Sequence, residues 1–367
     1  MKKVLLLTAL FVLLMIPSKN NFAQMEGLKV NFNGYFDAYF VTDNDNVPQN
    51  QGMDFNRQLA FSNHYKNTFG LNTAQLGAKI TYKDIARSTI TLHTGHFQEI
   101  TTPTDSKTPY LQQANMGIQF AKDFWIDAGY FFTHIGGESA LLKDNWLSSY
   151  SMVTYYEPFY QSGIKVSYEG EKFLACVHLL NGNGILEDNN YNKSLGWQFG
   201  YKFSDAFNIS YAGILGNEEP GSPNNAKTHH LHNIVAQVNV TPEFSLKGQF
   251  DLALKSDIRD PENFTKTING TFMGAGLTAH YDFIKQLGGT FRFAYINDKD
   301  GVYNTYLQNG LDLTLGAEYK PYEKSYIRLE GRMLQFDSDK NKIFTDADGK
   351  KTNSRMEVSL NFGFWFD

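Results

Sequence analysis

The chain is 367 residues long, with 33 Lys and Arg against 38 Asp and Glu, a formal net charge of −5 and a single cysteine, Cys176. That mildly acidic balance excludes the basic field a nucleic-acid partner requires, and one cysteine excludes an intrachain disulfide framework. Aromatics are 15% of the residues while the chain stays polar on average, a combination produced by strands with one apolar and one polar face.

The N-terminus opens on Lys2 and Lys3, continues through an apolar run from Val4 to Ile16, and reaches Asn21-Phe22-Ala23-Gln24. This order predicts a secretory signal peptide over residues 1–23, because the run is well short of the roughly 20 residues a membrane helix needs. No cysteine lies near the expected cut, so a lipid anchor is not expected. The signal carries three lysines and no acids, which takes the remaining 24–367 from −5 to −8. No plug domain is expected before the first strand, and the chain is short for a plugged, energy-coupled transporter.

From there the sequence reads as strands. The first sets Val30, Phe32, Phe36, Ala38 and Phe40 opposite Lys29, Asn31, Asn33 and Asp37. Short connections follow near Lys83-Asp84, Lys122-Asp123, Glu169-Gly170-Glu171, Ser204-Asp205, Thr241-Pro242-Glu243, Gln286-Leu287-Gly288 and Pro321-Tyr322-Glu323. Each is a few residues of turn chemistry between alternating runs, a hairpin signature. Long polar connections alternate with them, at about 43–66, 98–110, 135–158, 181–193, 216–228, 256–269, 297–309 and 337–354. Seven short turns and eight long loops separate about sixteen strands.

The later strands keep the period of two. Phe244, Leu246, Phe250 and Leu252 oppose Lys247, Gln249 and Asp251, and Leu311, Leu313, Leu315 and Ala317 oppose Asp312, Thr314 and Glu318. Ile327, Leu329, Gly331 and Met333 alternate with Arg328, Glu330 and Arg332. The last strand sets Met356, Val358, Leu360, Phe362, Phe364 and Phe366 against Glu357, Ser359, Asn361 and Gly363, with Trp365 breaking the pattern. Such alternation fits either a soluble sandwich or a membrane barrel. Export, an even strand number, short turns against long loops, and an aromatic last strand favour an all-β transmembrane antiparallel barrel with short periplasmic turns and long extracellular loops. No 40–50-residue repeat of propeller type is visible.

Gly34-Tyr35-Phe36-Asp37-Ala38-Tyr39, Leu71-Asn72-Thr73-Ala74-Gln75-Leu76, Ala128-Gly129-Tyr130-Phe131, Ile135-Gly136-Gly137-Glu138, Asn145, Pro158-Phe159-Tyr160 with Gly163, and Asn181-Gly182 occur in this order. In that arrangement the chain resembles the OmpL-like β-barrel porins, the second family of that kind, typical of Bacteroidetes. The resemblance runs from about Gly34 to the C-terminus and is tightest in the first half. It implies a porin-like outer-membrane channel and carries no catalytic or cofactor residues to transfer. Many outer-membrane barrels end on an aromatic residue; here Asp367 is last and Phe366 precedes it.

The candidate pore-lining residues are Lys247, Asp251, Arg292, Asp312, Glu318, Arg328, Glu330 and Arg332, whose side chains would project into one lumen and set its field and width. The bland alternative is a polar interior filled by salt bridges. His229, His230 and His232 offer at most two imidazoles on one face, without an acidic or Cys partner at ligand spacing. Asp346-Ala347-Asp348-Gly349 and Asp298-Lys299-Asp300-Gly301 lack the downstream Glu of a calcium loop and read as polar turns. Ser62 and His64 are the nearest approach to a catalytic pair, and they fall in a predicted loop. No metal, cofactor or enzymatic role is expected. Residues 135–158, with Leu141, Leu142, Trp146, Leu147 and Met152, either fold inward to narrow the pore or form a surface helix on the rim. The expected function is passive diffusion of small hydrophilic solutes or ions, with outer-membrane lipids as surroundings; a homotrimer is common among sixteen-stranded pores, but the sequence carries no interface signal for one. A non-conducting barrel that displays binding loops is the alternative.

Overall fold

A computed structural model describes residues 26–46, 59–102, 106–182, 184, 192–217, 227–263, 265–303, 309–337 and 342–367. The expected signal peptide lies outside the described residues.

Sixteen antiparallel strands close into one barrel. They are β1 (Leu28–Asp43), β2 (Phe69–Tyr82), β3 (Ala86–Thr94), β4 (Leu111–Ala121), β5 (Phe124–Phe132), β6 (Tyr160–Glu169), β7 (Phe173–Leu180), β8 (Ser194–Ser204), β9 (Phe207–Asn217), β10 (Thr228–Asn239), β11 (Phe244–Arg259), β12 (Thr267–Ile284), β13 (Leu287–Asn297), β14 (Asn309–Tyr319), β15 (Ser325–Phe336) and β18 (Ser354–Phe366). A two-residue hairpin, β16 (Phe344–Thr345) with β17 (Lys351–Thr352), sits in the last long connection. Each strand pairs with its neighbours in the sequence. The ring closes where β1 meets β18, in register from Gly34 opposite Phe366 to Asp43 opposite Glu357. Closure removes the unpaired edges a bilayer would not tolerate.

The expected turns and loops fall where these strands leave room for them, with two differences. Residues 96–101 form a short helix, α1 (His96–Thr101), whose Phe97 is buried. The sixth long connection is tighter than 256–269, because β11 reaches Arg259 and β12 begins at Thr267 with a bulge between Lys255 and Ile258. Trp365 continues the inward row of Glu357, Ser359, Asn361 and Gly363, and packing on Tyr326 gives this aromatic exception its place on the polar side. The first short turn shows the local logic: Lys83 and Asp84 both have positive φ, 46° and 56°, the hairpin geometry whose twist matches the flanking strands.

The outer face is apolar. Phe32, Ile90, Leu277, Phe291, Leu315, Leu329 and Phe362 all point outward, with Leu315 67% exposed to the surroundings. Near the short turns this face becomes aromatic: Phe120 and Phe124 flank one turn, Tyr201 and Phe203 another, Tyr281 and Phe283 a third. An apolar band ending in an aromatic girdle fits a barrel whose outer face meets lipid and whose rim meets the headgroups. Among the described residues no helix is long and apolar enough to cross a membrane; strands do the crossing.

Candidate functional site

The inner face is polar, and the third long connection enters it. Residues 133–159 leave β5, run through the lumen with two 3-10 turns (Leu142–Asp144 and Thr154–Tyr156), and return to β6. The inward alternative of the sequence reading is therefore the one observed. The segment leaves a hairpin in which Gly129 and Gly163 face each other across β5 and β6. Both have positive φ, 122° and 155°, and a Cβ on either would strike a backbone carbonyl of the next strand, Ala114 or Leu179. Glycine is thus required at both of these facing positions.

The segment is held by backbone groups that need partners away from water. Arg328 donates to the carbonyls of Leu142 (2.8 Å) and Asn145 (2.6 Å). Arg292 donates to the Ser149 carbonyl (2.5 Å), and Lys247 to the Gly137 carbonyl (2.7 Å). Glu330 accepts the amides of Ser148 and Ser149, and Asp312 accepts that of Met152 (3.0 Å). Asn233 and Gln249 accept the amides of Gly136 and Gly137 at 3.1 and 3.0 Å. The first long connection joins in: Ser62 donates to the Ser148 carbonyl, Phe61 stacks on Tyr155, and Arg332 donates to the Leu59 carbonyl.

Apolar anchors complete the fit. Met152 lies over Gly310, Val153 over Gly274 and Leu147 over Gly316, small residues that leave room on the wall. Trp146 stacks on His280 at 5.2 Å and 10°. Met152 and Val153 join Phe272, Ile296, Leu334 and Phe336 in an apolar cluster inside the barrel.

The charges on this wall are buried and matched, which a low-dielectric interior demands. Asp312 receives Arg332 at 2.7 Å and Arg292 at 3.4 Å; Arg292 also reaches Glu138 at 3.1 Å. Arg328 pairs with Glu318 at 2.6 Å. Glu157, at the end of the inserted segment, accepts from Gln249 (2.6 Å) and Asn233 (3.3 Å), which also hold Asp251. Burial, and the Asp251 carboxyl beside it, push the Glu157 carboxyl well above the usual carboxylate range.

On the opposite side, along β1 to β6, space remains. A cavity of about 880 Å³ is lined by inward residues of those strands, by Trp365 of β18 and by the outer flank of the inserted segment around Ser139, Leu141 and Lys143. Its charges are more accessible and are paired on the wall. Arg87 binds Asp127 at 2.6 Å and Glu169 at 2.7 Å, Lys165 stands 3.6 Å from Asp127, and Lys143 pairs with Asp144. Arg87 also lies 4.2 Å from the Trp125 ring centre.

All eight sequence-nominated residues thus lie on the inner face, on β11 and β13 to β15. Seven of them are buried and Lys247 is half-buried. They grip the inserted segment or the charges around it. The residues that face the remaining space, Arg87, Asp127, Lys165 and Glu169 foremost, were not singled out from the sequence. Their one available signal was the alternation of Arg87, Thr89 and Thr91 with Ser88 and Ile90, which is weak. His229, His230 and His232 lie along β10; among the described residues no group of three His, Cys, Asp or Glu could hold a metal. His64 meets the Ala60 carbonyl rather than Ser62.

A closed sixteen-stranded barrel, apolar without and polar within, narrowed by an inserted third connection, defines an outer-membrane barrel of porin type. Residues 29–366 match the family described as "Putative beta-barrel porin-2, OmpL-like", and the chain belongs to that family. It is an outer-membrane, porin-like channel. Three solved structures are similar in fold. The outer membrane channel DcaP of Acinetobacter baumannii gives a TM-score of 0.63 at 10% identity, covering 94% of this chain and 99% of that one. An anion-selective porin from Comamonas acidovorans gives 0.60 at 12%, covering 92% and 100%. The trimer form of OmpT, an outer membrane protein of Vibrio cholerae, gives 0.57 at 12%, covering 93% and 100%. At such identity the likeness speaks for the fold alone. No curated protein matches the chain.

Proposed function

We propose that small hydrophilic solutes and ions diffuse through this barrel along its β1–β6 side, past an inserted segment that sets the width of the path. The single observation that carries this reading is the asymmetry of the lumen: a space of about 880 Å³ against one wall, and a packed, charge-matched seal against the other. Lys247, Asp251, Arg292, Asp312, Glu318, Arg328, Glu330 and Arg332 then act on a solute indirectly, by fixing the segment, while the Arg87 cluster meets it directly. Export through a signal peptide over residues 1–23 belongs to the same reading. So does assembly as a homotrimer, which the trimer form of a structurally similar protein supports. Refolded protein in a planar bilayer tests it. Stable single-channel steps are expected; a correctly inserted barrel that never conducts contradicts the reading.

A further inference from the structure

The lining of the β1–β6 space is electrically self-cancelling. It carries four cationic side chains, Lys79, Arg87, Lys143 and Lys165, and four acidic ones, Asp127, Asp144, Glu169 and Asp367. Six of these eight are tied to one another by the ion pairs given above. Such a lining offers a diffusing ion of either sign little net field.

What it offers instead is amide and hydroxyl chemistry. Gln75, Thr91, Gln112 and Asn115 all line the space. Gln75 and Gln112 are 5% and 1% exposed, and the Oε1 of each has no hydrogen-bond partner among the described residues. Gln112 occupies a bulge: pairing of β3 with β4 runs from Thr91 opposite Gln113 to Leu92 opposite Leu111, so Gln112 is the extra residue. Bulges re-aim a side chain and recur beside binding sites. A buried acceptor without a partner is costly unless something donates to it. On the same wall, Phe132 lies on the strand next to Gln112 and Trp365 lies level with Gln75 across β1; with Phe131 they add flat apolar surfaces to the lining.

We propose that this band is a binding subsite for neutral polyhydroxylated solutes, short saccharides being the chemical class. A turn of the Gln75 and Gln112 side chains toward the space lets solute hydroxyls donate to their carbonyl oxygens and accept from amide N–H groups, while the C–H faces lie on the aromatic rings. A charged solute would instead have to compete with the intact Arg87–Asp127–Glu169 pairing. The inference rests on the diffusion reading for how the solute arrives, but not for whether it binds.

The test uses the refolded full-length mature barrel with two readouts: single-channel current in a planar bilayer, and tryptophan fluorescence in detergent. The probes are maltotriose and a polyethylene glycol of matched size. Maltotriose is expected to interrupt the open current in a concentration-dependent way and to shift the fluorescence, with the polymer doing neither. Gln112→Ala should shorten the interruptions by roughly five- to tenfold, the loss of one hydrogen bond, and Gln112→Asn should restore part of it. Trp365→Phe should remove most of the fluorescence change and keep the interruptions. A conducting channel on which maltotriose behaves like the polymer overturns the subsite and leaves the diffusion reading intact. A silent barrel whose fluorescence responds to maltotriose does the reverse, and silence in both overturns both.

Discussion

The two walls of this barrel have the same backbone architecture and opposite states. On β11 to β15 most inward charges are buried, and Lys247, Arg292, Asp312, Arg328 and Glu330 bond residues 133–159 directly, so the wall is a seat for the inserted segment. On β3 to β6 the inward charges Arg87, Asp127, Lys165 and Glu169 are bonded to one another across strands, and the wall faces open space. Charge content does not separate the two. What separates them is where the donors and acceptors find partners: in a segment inserted from a loop, or in the next strands of the wall.

The largest expected effect comes from the seated wall. Arg292→Met leaves the Ser149 carbonyl without its donor, Glu138 with only the Ser151 amide, and Asp312 with one arginine, so it should cost about 3–5 kcal/mol. Urea unfolding in lipid measures this, and the conductance should rise as the segment loosens. The next effect is a pH dependence at the foot of that segment. Because the Glu157 carboxyl is held above its unfolded value, its stabilising contribution is complete below about pH 4.3 and is lost as pH climbs toward the folded value. Current noise from a loosening segment should therefore grow with rising pH in the wild type. Glu157→Gln should flatten that trend, and an unchanged trend would detach Glu157 from the effect. The smallest effect on stability, about 1 kcal/mol or less, belongs to Arg87→Ala, since that arginine is partly exposed. It should nevertheless move the reversal potential toward cations, because two acids, Asp127 and Glu169, then face the space with only Lys165 beside them. Arg332→Ala should leave the reversal potential nearly still.

The architecture was legible because it is written in local patterns. Period-two rows such as Met356 to Phe366, turns such as Lys83-Asp84, and the alternation of short and long connections each fit within a dozen residues. The facing of Arg328, Glu330 and Arg332 was legible for the same reason. Their role was not, because it depends on Leu142, Asn145 and Ser148, which lie about 180 positions away in the sequence and meet them only after one loop turns inward. Arg87 was missed on similar grounds: nothing near it in β3 indicates Glu169, 82 residues later. Trp365 stands as an aromatic exception in a polar row until Tyr326 supplies its inner partner.

The central claim is that the path follows the β1–β6 wall. Its most direct test is thiol modification of single-channel current in a Cys176→Ser background, with Asn115→Cys on the open wall and Thr314→Cys on the seated one. A charged methanethiosulfonate reagent should reduce the current of the Asn115→Cys channel and leave that of Thr314→Cys unchanged. Block at Thr314→Cys with none at Asn115→Cys would contradict the account.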